Sequence, residues 1–282
     1  DGWHSGGPTR FSITPLAPTI GAVIDGVELW TPLDDATFAE LWRALVEWKV
    51  LVFRDQHLTP AEHVEVALRF GELFDDQVTE PAKADPMDNY VEFSRSGDDA
   101  GLDNIWHADG SFRDEPPVAL TLRAIRVPDL GGDTLFADMA VAYDNLPSDV
   151  RARIDSMQAE HDWACGEYAR AGVYGDRHDD IAASLPAVRH PVARPHPLTG
   201  RPTLYVNRAF TRGLVCDDAD ADELFDELCA QTTVPEYQCR VDWKPDTFVL
   251  FDNQAVQHYA NNDYLPSHRT MGRATIGRWR SA

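Results

Sequence analysis

The stretch Arg269-Thr270-Met271-Gly272-Arg273-Ala274-Thr275-Ile276-Gly277-Arg278 has the alternation of a β-strand whose two faces meet different surroundings. Successive side chains of a strand point to opposite faces, so Arg269 and Arg273 share one face with Cα atoms roughly 13 Å apart. If that face is buried, the two arginines need an anion, because an unpaired buried guanidinium costs much free energy. If it is exposed, both are ordinary solvated charges.

Other short strands precede this one along the chain. Apolar or alternating runs bounded by turn residues predict strands at 11–16, 50–53, 90–93, 119–124, 133–136, 203–207, 237–243 and 247–251. Apolar periodicity and capping residues predict helices at 35–48, 60–70, 138–157 in two pieces, and 219–231. Many short strands with fewer helices predict a mainly β protein, with two sheets and flanking helices.

The length and hydrophobic content of the chain favour one domain. The 282 residues are 43% hydrophobic and contain no repeat or domain-sized linker. We expect the polar, Gly-rich residues 1–10 to form a disordered lead-in and residues 11–282 to form a single domain. The segment 166–184 has no clear period, and we interpret it as a loop that acts as a lid over the site.

The formal net charge of −22 excludes some classes of partner. Nucleic acid and anionic membrane surfaces would be repelled, so we expect a small-molecule substrate, no nucleic acid and no membrane. We also expect a homo-oligomer. The four cysteines form no Cys-X-X-Cys pair, the first residues lack a signal-peptide pattern, and no apolar run approaches 18 residues, so a cytoplasmic protein with free thiols is expected.

The sequence Trp106-His107-Ala108-Asp109-Gly110 contains a candidate metal site. On a strand end, His107 and Asp109 would point to a common face. His258, which follows the apolar run 247–251, could complete the set. Two histidines and one carboxylate on one face of a metal leave the other face open for substrate and oxygen, as in non-haem Fe(II) oxygenases. His-X-Asp is also a common tripeptide, and His258 could equally be a hydrogen-bonded core histidine.

Several stretches, in this order, resemble the taurine dioxygenase family of Fe(II)- and 2-oxoglutarate-dependent oxygenases. They are Phe53-Arg54-Asp55-Gln56, Arg69-Phe70-Gly71-Glu72-Leu73, Trp106-His107-Ala108-Asp109, Gly131-Gly132-Asp133-Thr134-Leu135, Gln257-His258-Tyr259-Ala260-Asn261 and Asp263-Tyr264-Leu265-Pro266. Several stretches in one order are much more specific than any single motif. The resemblance extends from about residue 12 to residue 276.

The resemblance implies both a fold and a reaction. The fold would be a distorted double-stranded β-helix, or jelly roll, with flanking helices. The reaction would be hydroxylation of a small organic substrate, similar to taurine, an alkylsulfonate or an alkylsulfate. The enzyme would use Fe(II) and O2, with 2-oxoglutarate as the co-substrate that is decarboxylated to succinate and CO2.

The resemblance also implies roles for particular residues. His107, Asp109 and His258 would be the iron ligands and hence the catalytic residues. Thr134 and Arg269 would bind the distal carboxylate of 2-oxoglutarate, for which a hydroxyl and a planar guanidinium are well suited.

The expected substrate site departs from the family at two positions. Arg273 would hold the anionic end of the substrate, but Asp76 and Asp103 stand where taurine dioxygenases carry a histidine and an amide. Carboxylates beside a sulfonate would repel it unless they are protonated or paired, so we expect that taurine is not the best substrate. Alternatively, both acids lie in a shifted loop and face water.

Two other function classes stay open on the residues alone. A zinc hydrolase could use the same three ligands, because three ligands and a water form a catalytic zinc site. A non-catalytic jelly roll could bind a small anion. Neither class accounts for Thr134, Arg269 and Arg273 together.

Overall fold

The computed structural model describes residues 10–74, 89–97, 99 and 101–280. The expected lead-in, apart from Arg10, and the predicted substrate residue Asp76 lie outside the described residues. The strands are β1 Ser12–Pro15, β2 Ala22–Asp25, β3 Val50–Phe53, β4 Gly71–Leu73, β5 Tyr90–Arg95, β6 Ala119–Arg126, β7 Thr134–Asp138, β8 Gln158–His161, β9 Val188–Pro191, β10 Ala193–Pro195, β11 Pro202–Leu204, β12 Thr211–Leu214, β13 Gln238–Val241, β14 Phe248–Asp252, β15 Val256–Ala260 and β16 Arg269–Trp279. The helices are α1 Asp35–Trp48, α2 Pro60–Phe70, α3 Met139–Asp144, α4 Ser148–Ile154, α5 Glu167–Arg170, α6 His178–Ser184 and α7 Ala221–Ala230.

The main sheet has the strand order β1-β2-β3-β14-β6-β16-β4, and β5 also pairs with β16. β2 and β3 are parallel, and the other pairs in this sheet are antiparallel. Three smaller sheets have the orders β10-β11, β12-β8-β9 and β13-β7-β15. This mainly β architecture confirms the predicted fold class.

The main sheet has an apolar core on each face. One core packs α1 and α2 against the sheet, and the other packs the β13-β7-β15 sheet against the opposite face. β3 contributes to both cores: Leu51 and Phe53 lie in the first, Val50 and Val52 in the second. Burial on both faces explains why this strand is continuously apolar and does not alternate.

The predicted strands and helices are present, with ends that agree within three residues. The Thr59 capping box forms as predicted, with Glu62 bound to the Thr59 backbone and hydroxyl. The prediction that 166–184 is a loop is wrong, because this segment contains α5 and α6, whereas its role as a lid stays a prediction. These helices have only four and seven residues, too few to produce a recognisable helical period.

Within the described part of the chain, every helix is too short or too polar to span a bilayer.

Candidate active site

His107 and His258 are brought together by their own backbones. The His107 N–H donates to the His258 carbonyl (3.1 Å), and the His258 N–H donates to the His107 carbonyl (2.9 Å). Antiparallel residues that exchange both bonds project their side chains to the same side. Their ring centroids are therefore 4.2 Å apart.

Asp109 lies in a turn, so the prediction that His-X-Asp forms a strand end is wrong. His107 makes an isolated bridge to His258, and the chain turns directly afterwards. The side chain of Asn253 holds this turn, since it accepts from the Asp109 N–H (3.0 Å) and donates to the Asp109 carbonyl (2.8 Å). Gly110 is required here, because its φ is +65° and a Cβ would lie 2.7 Å from Pro117 Cδ.

The side chains of His107, Asp109 and His258 form a group that could hold one metal ion. Their possible ligand atoms all lie within 4.8 Å of one another. Nδ1 of His107 donates to the Ile105 carbonyl (2.7 Å), which turns Nε2 toward Asp109, 3.3 Å from its Oδ1. Nε2 is thus the nitrogen that can bind a metal once its own proton is released. Two imidazoles and one carboxylate are a donor set that suits Fe(II) and leaves room for further ligands.

The charges of this group are strongly coupled. Burial lowers the pKa of His258 to about 3, and the neighbouring His107 contributes in the same direction. Burial opposes charge on His107 as well, but its hydrogen bond to Asp109 and the charge of that carboxylate raise the pKa of His107. Burial also opposes ionisation of Asp109, yet the His107 hydrogen bond and the charges of His258 and Arg273 hold its pKa well below the usual range. The site therefore offers an ionised carboxylate and a neutral imidazole, the forms that bind metals.

A second group of side chains could bind an anion. Arg269 is 7% exposed, burial lowers its pKa, and its Nε has no hydrogen-bond partner in the part of the chain that the structure describes. Thr134 is 2% exposed and accepts from the Trp243 indole N–H (3.0 Å), so its own hydroxyl proton stays available. The guanidinium of Arg269 lies 5.8 Å from the Trp243 ring. Trp243 thus contacts both members of the pair.

One cavity joins these groups. It has a volume of about 380 Å³, and seven of the eight predicted site residues line it: Asp103, His107, Asp109, Thr134, His258, Arg269 and Arg273. Aromatic side chains form much of the remaining wall: Phe74, Phe93, Phe112, Trp163, Tyr168, Tyr174, Phe210 and Phe251. A mainly apolar pocket with a few convergent polar groups is the usual form of a small-molecule site.

Arg273 lies beside the candidate metal group. Its Nη1 is 3.7 Å from Asp109 Oδ2, and its side chain is 40% exposed. Arg269, Arg273 and Thr275 all face the cavity, as the alternation of β16 predicts.

Asp103 is paired and is not a bare carboxylate. The Tyr168 hydroxyl donates to its Oδ2 (2.9 Å), and Arg95 Nη2 lies 3.8 Å from the same oxygen. Because its charge is paired, the Asp103 carboxylate should not strongly repel a bound sulfonate, in contrast to the expectation for an unpaired acid. The sequence gives no direct signal for Arg95 or Tyr168, whose roles depend on strand register and on the fold of 166–184.

A family model decides the identity of the chain. The model described as "Taurine catabolism dioxygenase TauD, TfdA family" matches residues 12–275. The chain belongs to this family.

Relatives and solved structures agree with that assignment. An alkylsulfatase from Acinetobacter baylyi is 34% identical, over 95% of this chain and 86% of its own length. An (S)-phenoxypropionate/alpha-ketoglutarate-dioxygenase from Sphingobium herbicidovorans is 32% identical, over 94% of each chain. A crystal structure of a taurine dioxygenase from Burkholderia xenovorans matches with a TM-score of 0.79 and 28% identity, over 96% of this chain and 95% of that one.

As a member of the TauD, TfdA family, the protein is an Fe(II)- and 2-oxoglutarate-dependent dioxygenase with a jelly-roll fold. Its cofactor is Fe(II), and its co-substrates are 2-oxoglutarate and O2. The donor set of His107, Asp109 and His258 fits that metal. Family membership favours the dioxygenase over both the zinc hydrolase and the non-catalytic anion binder.

Proposed function

We propose that the protein oxidises a small organic anion with an apolar portion, such as an alkyl sulfate or alkyl sulfonate, and that His107, Asp109 and His258 hold the iron. The main support for this proposal is the convergence of these three side chains within 4.8 Å at the wall of a cavity that Arg269 and Arg273 also line. The names of the relatives, an alkylsulfatase and a taurine dioxygenase, support a sulfur-containing anion.

Thr134 and Arg269 bind the distal carboxylate of 2-oxoglutarate in this proposal. The carboxylate satisfies the buried Arg269 guanidinium and accepts the free Thr134 hydroxyl proton. Trp243 orients both groups, because it donates to Thr134 and lies against the guanidinium.

Arg273 binds the anionic end of the substrate. Its guanidinium adjoins Asp109, so an anion held there lies near the metal site. The aromatic wall, including Phe112, Trp163 and Phe210, then contacts the remainder of the substrate and excludes water. When bound, Fe(II) with 2-oxoglutarate and O2 supplies the oxidation of a substrate C–H bond, coupled to release of succinate and CO2. Burial of each methylene contributes about 0.8 kcal/mol, roughly fourfold in affinity.

A substrate panel tests this proposal. Taurine, longer alkyl sulfonates, alkyl sulfates, aryloxyalkanoates and amino-bearing acids are compared by succinate release with Fe(II), 2-oxoglutarate and O2. We expect specificity constants to rise with chain length, and an alkyl sulfate or sulfonate to exceed taurine. The highest specificity constant for taurine would contradict the proposed substrate class. Substrate-stimulated succinate release that persists in His107→Ala would contradict the proposed ligands.

We also propose that the enzyme is a cytoplasmic homo-oligomer that acts on small molecules and binds neither nucleic acid nor membranes. The net charge of −22 supports the last two points, since it repels polyanions. Light scattering on the purified protein tests the oligomer, and co-sedimentation with anionic vesicles and gel shift with DNA test the expected absence of binding.

A further inference from the structure

The hydroxyl of Tyr168 joins separate segments of the chain at the cavity wall. It donates to Asp103 Oδ2 (2.9 Å) and accepts from Arg95 Nη2 (2.9 Å) and from the Leu102 N–H (3.2 Å). A tyrosine hydroxyl has one donor and two acceptor lone pairs, so these contacts use its full capacity. We refer to Arg95, Asp103 and Tyr168 as the Tyr168 node.

Arg95 supplies the counter-charge of the node. Its Nη2 lies 3.8 Å from Asp103 Oδ2, and its Nη1 lies 3.8 Å from Asp99 Oδ2. The backbone of Gly101 packs on the same guanidinium with φ of +66°, and a Cβ there would lie 2.5 Å from Arg95 Nε. Asp99, Gly101 and Asp103, which precede His-X-Asp in the chain, therefore all lie close to this arginine.

The node adjoins both proposed anion sites. Arg95 on β5 is in direct register with Arg269 on β16, so their side chains emerge on the same face of the sheet. Arg95, Asp103, Tyr168, Arg269 and Arg273 all line the cavity. A carboxylate turned toward this space would raise the free energy of any anion bound there.

Tyr168 also connects the node to the segment 166–184. It lies on α5, next to Ala169, which packs in an apolar cluster with Phe112 and Trp163. Burial and the nearby Asp103 charge raise the pKa of Tyr168, so the hydroxyl keeps its proton at neutral pH. The segment is thereby bound to the cavity wall by an apolar cluster, to which Ile181 also belongs, and by the hydrogen bonds of the Tyr168 hydroxyl.

We propose that Tyr168 is a positioning residue that docks the segment 166–184 on the cavity wall and holds the Asp103 carboxylate against Arg95, away from the bound anions. This inference rests on the proposed function. The node lets an acidic residue line a cavity for anions, because Arg95 neutralises its charge and Tyr168 fixes its direction.

Tyr168→Phe removes the hydroxyl and keeps the ring. We expect KM for 2-oxoglutarate to rise about tenfold, equivalent to about 1.4 kcal/mol, with kcat changed less than about twofold. We also expect trypsin to cleave the native protein about tenfold faster at Arg170, because docking of the segment is weakened. The cleavage assay needs neither turnover nor iron.

Tyr143→Phe is the matched control. Tyr143 also donates its hydroxyl to a carboxylate, that of Asp155, but it packs in the core with α3 and α4 and does not line the cavity. We expect this variant to keep the wild-type KM and the wild-type cleavage rate at Arg170.

A double-mutant cycle in which each charge is removed in turn separates the effect of the counter-charge from that of packing. Arg95→Gln leaves Asp103 without its counter-charge, so anaerobic calorimetric titration with 2-oxoglutarate and Fe(II) should give about tenfold weaker binding. Asp103→Asn in the same chain removes the repulsion and should restore binding to within about threefold of wild type.

Two results would overturn the inference. One is wild-type cleavage at Arg170 together with wild-type KM in Tyr168→Phe. The other is a double variant that binds 2-oxoglutarate no better than Arg95→Gln alone. Either failure is distinct from failure of the proposed iron ligands, which would appear as turnover in His107→Ala.

Discussion

Two buried histidines show how similar burial leads to different roles. Burial lowers the pKa of both His63 and His258 to about 3. His63 lies between α2 and the main sheet, where its Nε2 is 2.8 Å from the Thr121 hydroxyl and its ring contacts Tyr90 and Phe248 edge to face.

His258 has similar burial and a different set of neighbours. A second imidazole and a carboxylate, those of His107 and Asp109, converge on it at the wall of an open cavity. A low pKa or an unpartnered nitrogen is therefore insufficient to identify a metal ligand, since Nδ1 of His63, like Nδ1 of His258, has no hydrogen-bond partner among the described residues. The convergence of complementary donors on accessible space distinguishes the two sites.

The largest effect is expected from substitution of the proposed iron ligands, with His63 as the comparison. His107→Ala, Asp109→Ala and His258→Ala should each abolish Fe(II)-dependent turnover of 2-oxoglutarate, because each removes a proposed iron ligand. Circular dichroism should show an intact fold. His63→Gln should retain turnover and lose about 1–3 kcal/mol of stability, since it disturbs a buried hydrogen bond. Full activity in any of the three alanine variants would exclude that residue as a ligand.

The second prediction extends the comparison to two buried arginines. Arg269→Lys should raise KM for 2-oxoglutarate about 10- to 100-fold, because an ammonium cannot reproduce a bidentate guanidinium contact worth about 1.5–3 kcal/mol. Arg123 is the control: it is 8% exposed, but its Nη1 lies 3.3 Å from Asp246 Oδ1 and it does not line the cavity. Arg123→Lys should lower the free energy of unfolding and leave KM for 2-oxoglutarate unchanged. A similar rise in KM for both variants would remove the special role of Arg269.

The third prediction concerns the stability contributed by neutral His63. Its pKa of about 3 in the folded protein lies below the ordinary histidine value of 6.5, so below pH 6.5 the unfolded chain binds a proton that the folded protein excludes. The free energy of unfolding should therefore fall with falling pH, by up to about 1.4 kcal/mol per pH unit from this residue, until the pH approaches the folded pKa. Urea titrations from pH 7 to pH 5 should show a shallower fall in His63→Gln. An identical slope in the variant would mean that His63 is protonated in the folded protein.

The smallest expected effect concerns Thr134. Thr134→Val should raise KM for 2-oxoglutarate about 2- to 10-fold, as expected for one neutral hydrogen bond worth about 0.5–1.5 kcal/mol. Thr134→Ser keeps the hydroxyl, so its KM for 2-oxoglutarate should be close to the wild-type value. Equal KM values for the valine and serine variants would show that the hydroxyl does not contact the co-substrate.

The sequence predicts the strands with a clear apolar or alternating pattern, but β4, β8, β9, β10, β12 and β15 were not predicted, and the site was predicted only in part. β3 and β16 were predictable from their apolar patterns. β3 is continuously apolar because both of its faces are buried, and β16 alternates because its two faces meet different surroundings. β15 was not predicted, because Val256, Gln257 and His258 are all buried and their polarity does not alternate. Prediction of the proposed iron ligands required the family resemblance, since neither His-X-Asp nor a lone histidine is specific.

The supporting residues of the site could not be predicted from local pattern. Asn253 acts on Asp109 only because the fold brings the end of β14 beside the turn after His107. Arg95 faces the cavity through its register with β16, and Tyr168 through the packing of α5. Such roles depend on contacts between distant parts of the chain, which one sequence does not encode in any short motif.

The backbone of β16 fixes the distance between Arg269 and Arg273. Four residues of extended backbone place their Cα atoms roughly 13 Å apart, and a strand paired on both sides cannot stretch or shorten. Inserting or deleting one residue between them would turn Arg273 to the opposite face. In the proposed function, where Arg269 binds the co-substrate and Arg273 the substrate, the backbone therefore fixes the separation between the two anion sites. A longer or shorter substrate has to be accommodated by the aromatic walls, where side chains such as Phe112 and Phe210 can be exchanged without altering the spacing of the charges.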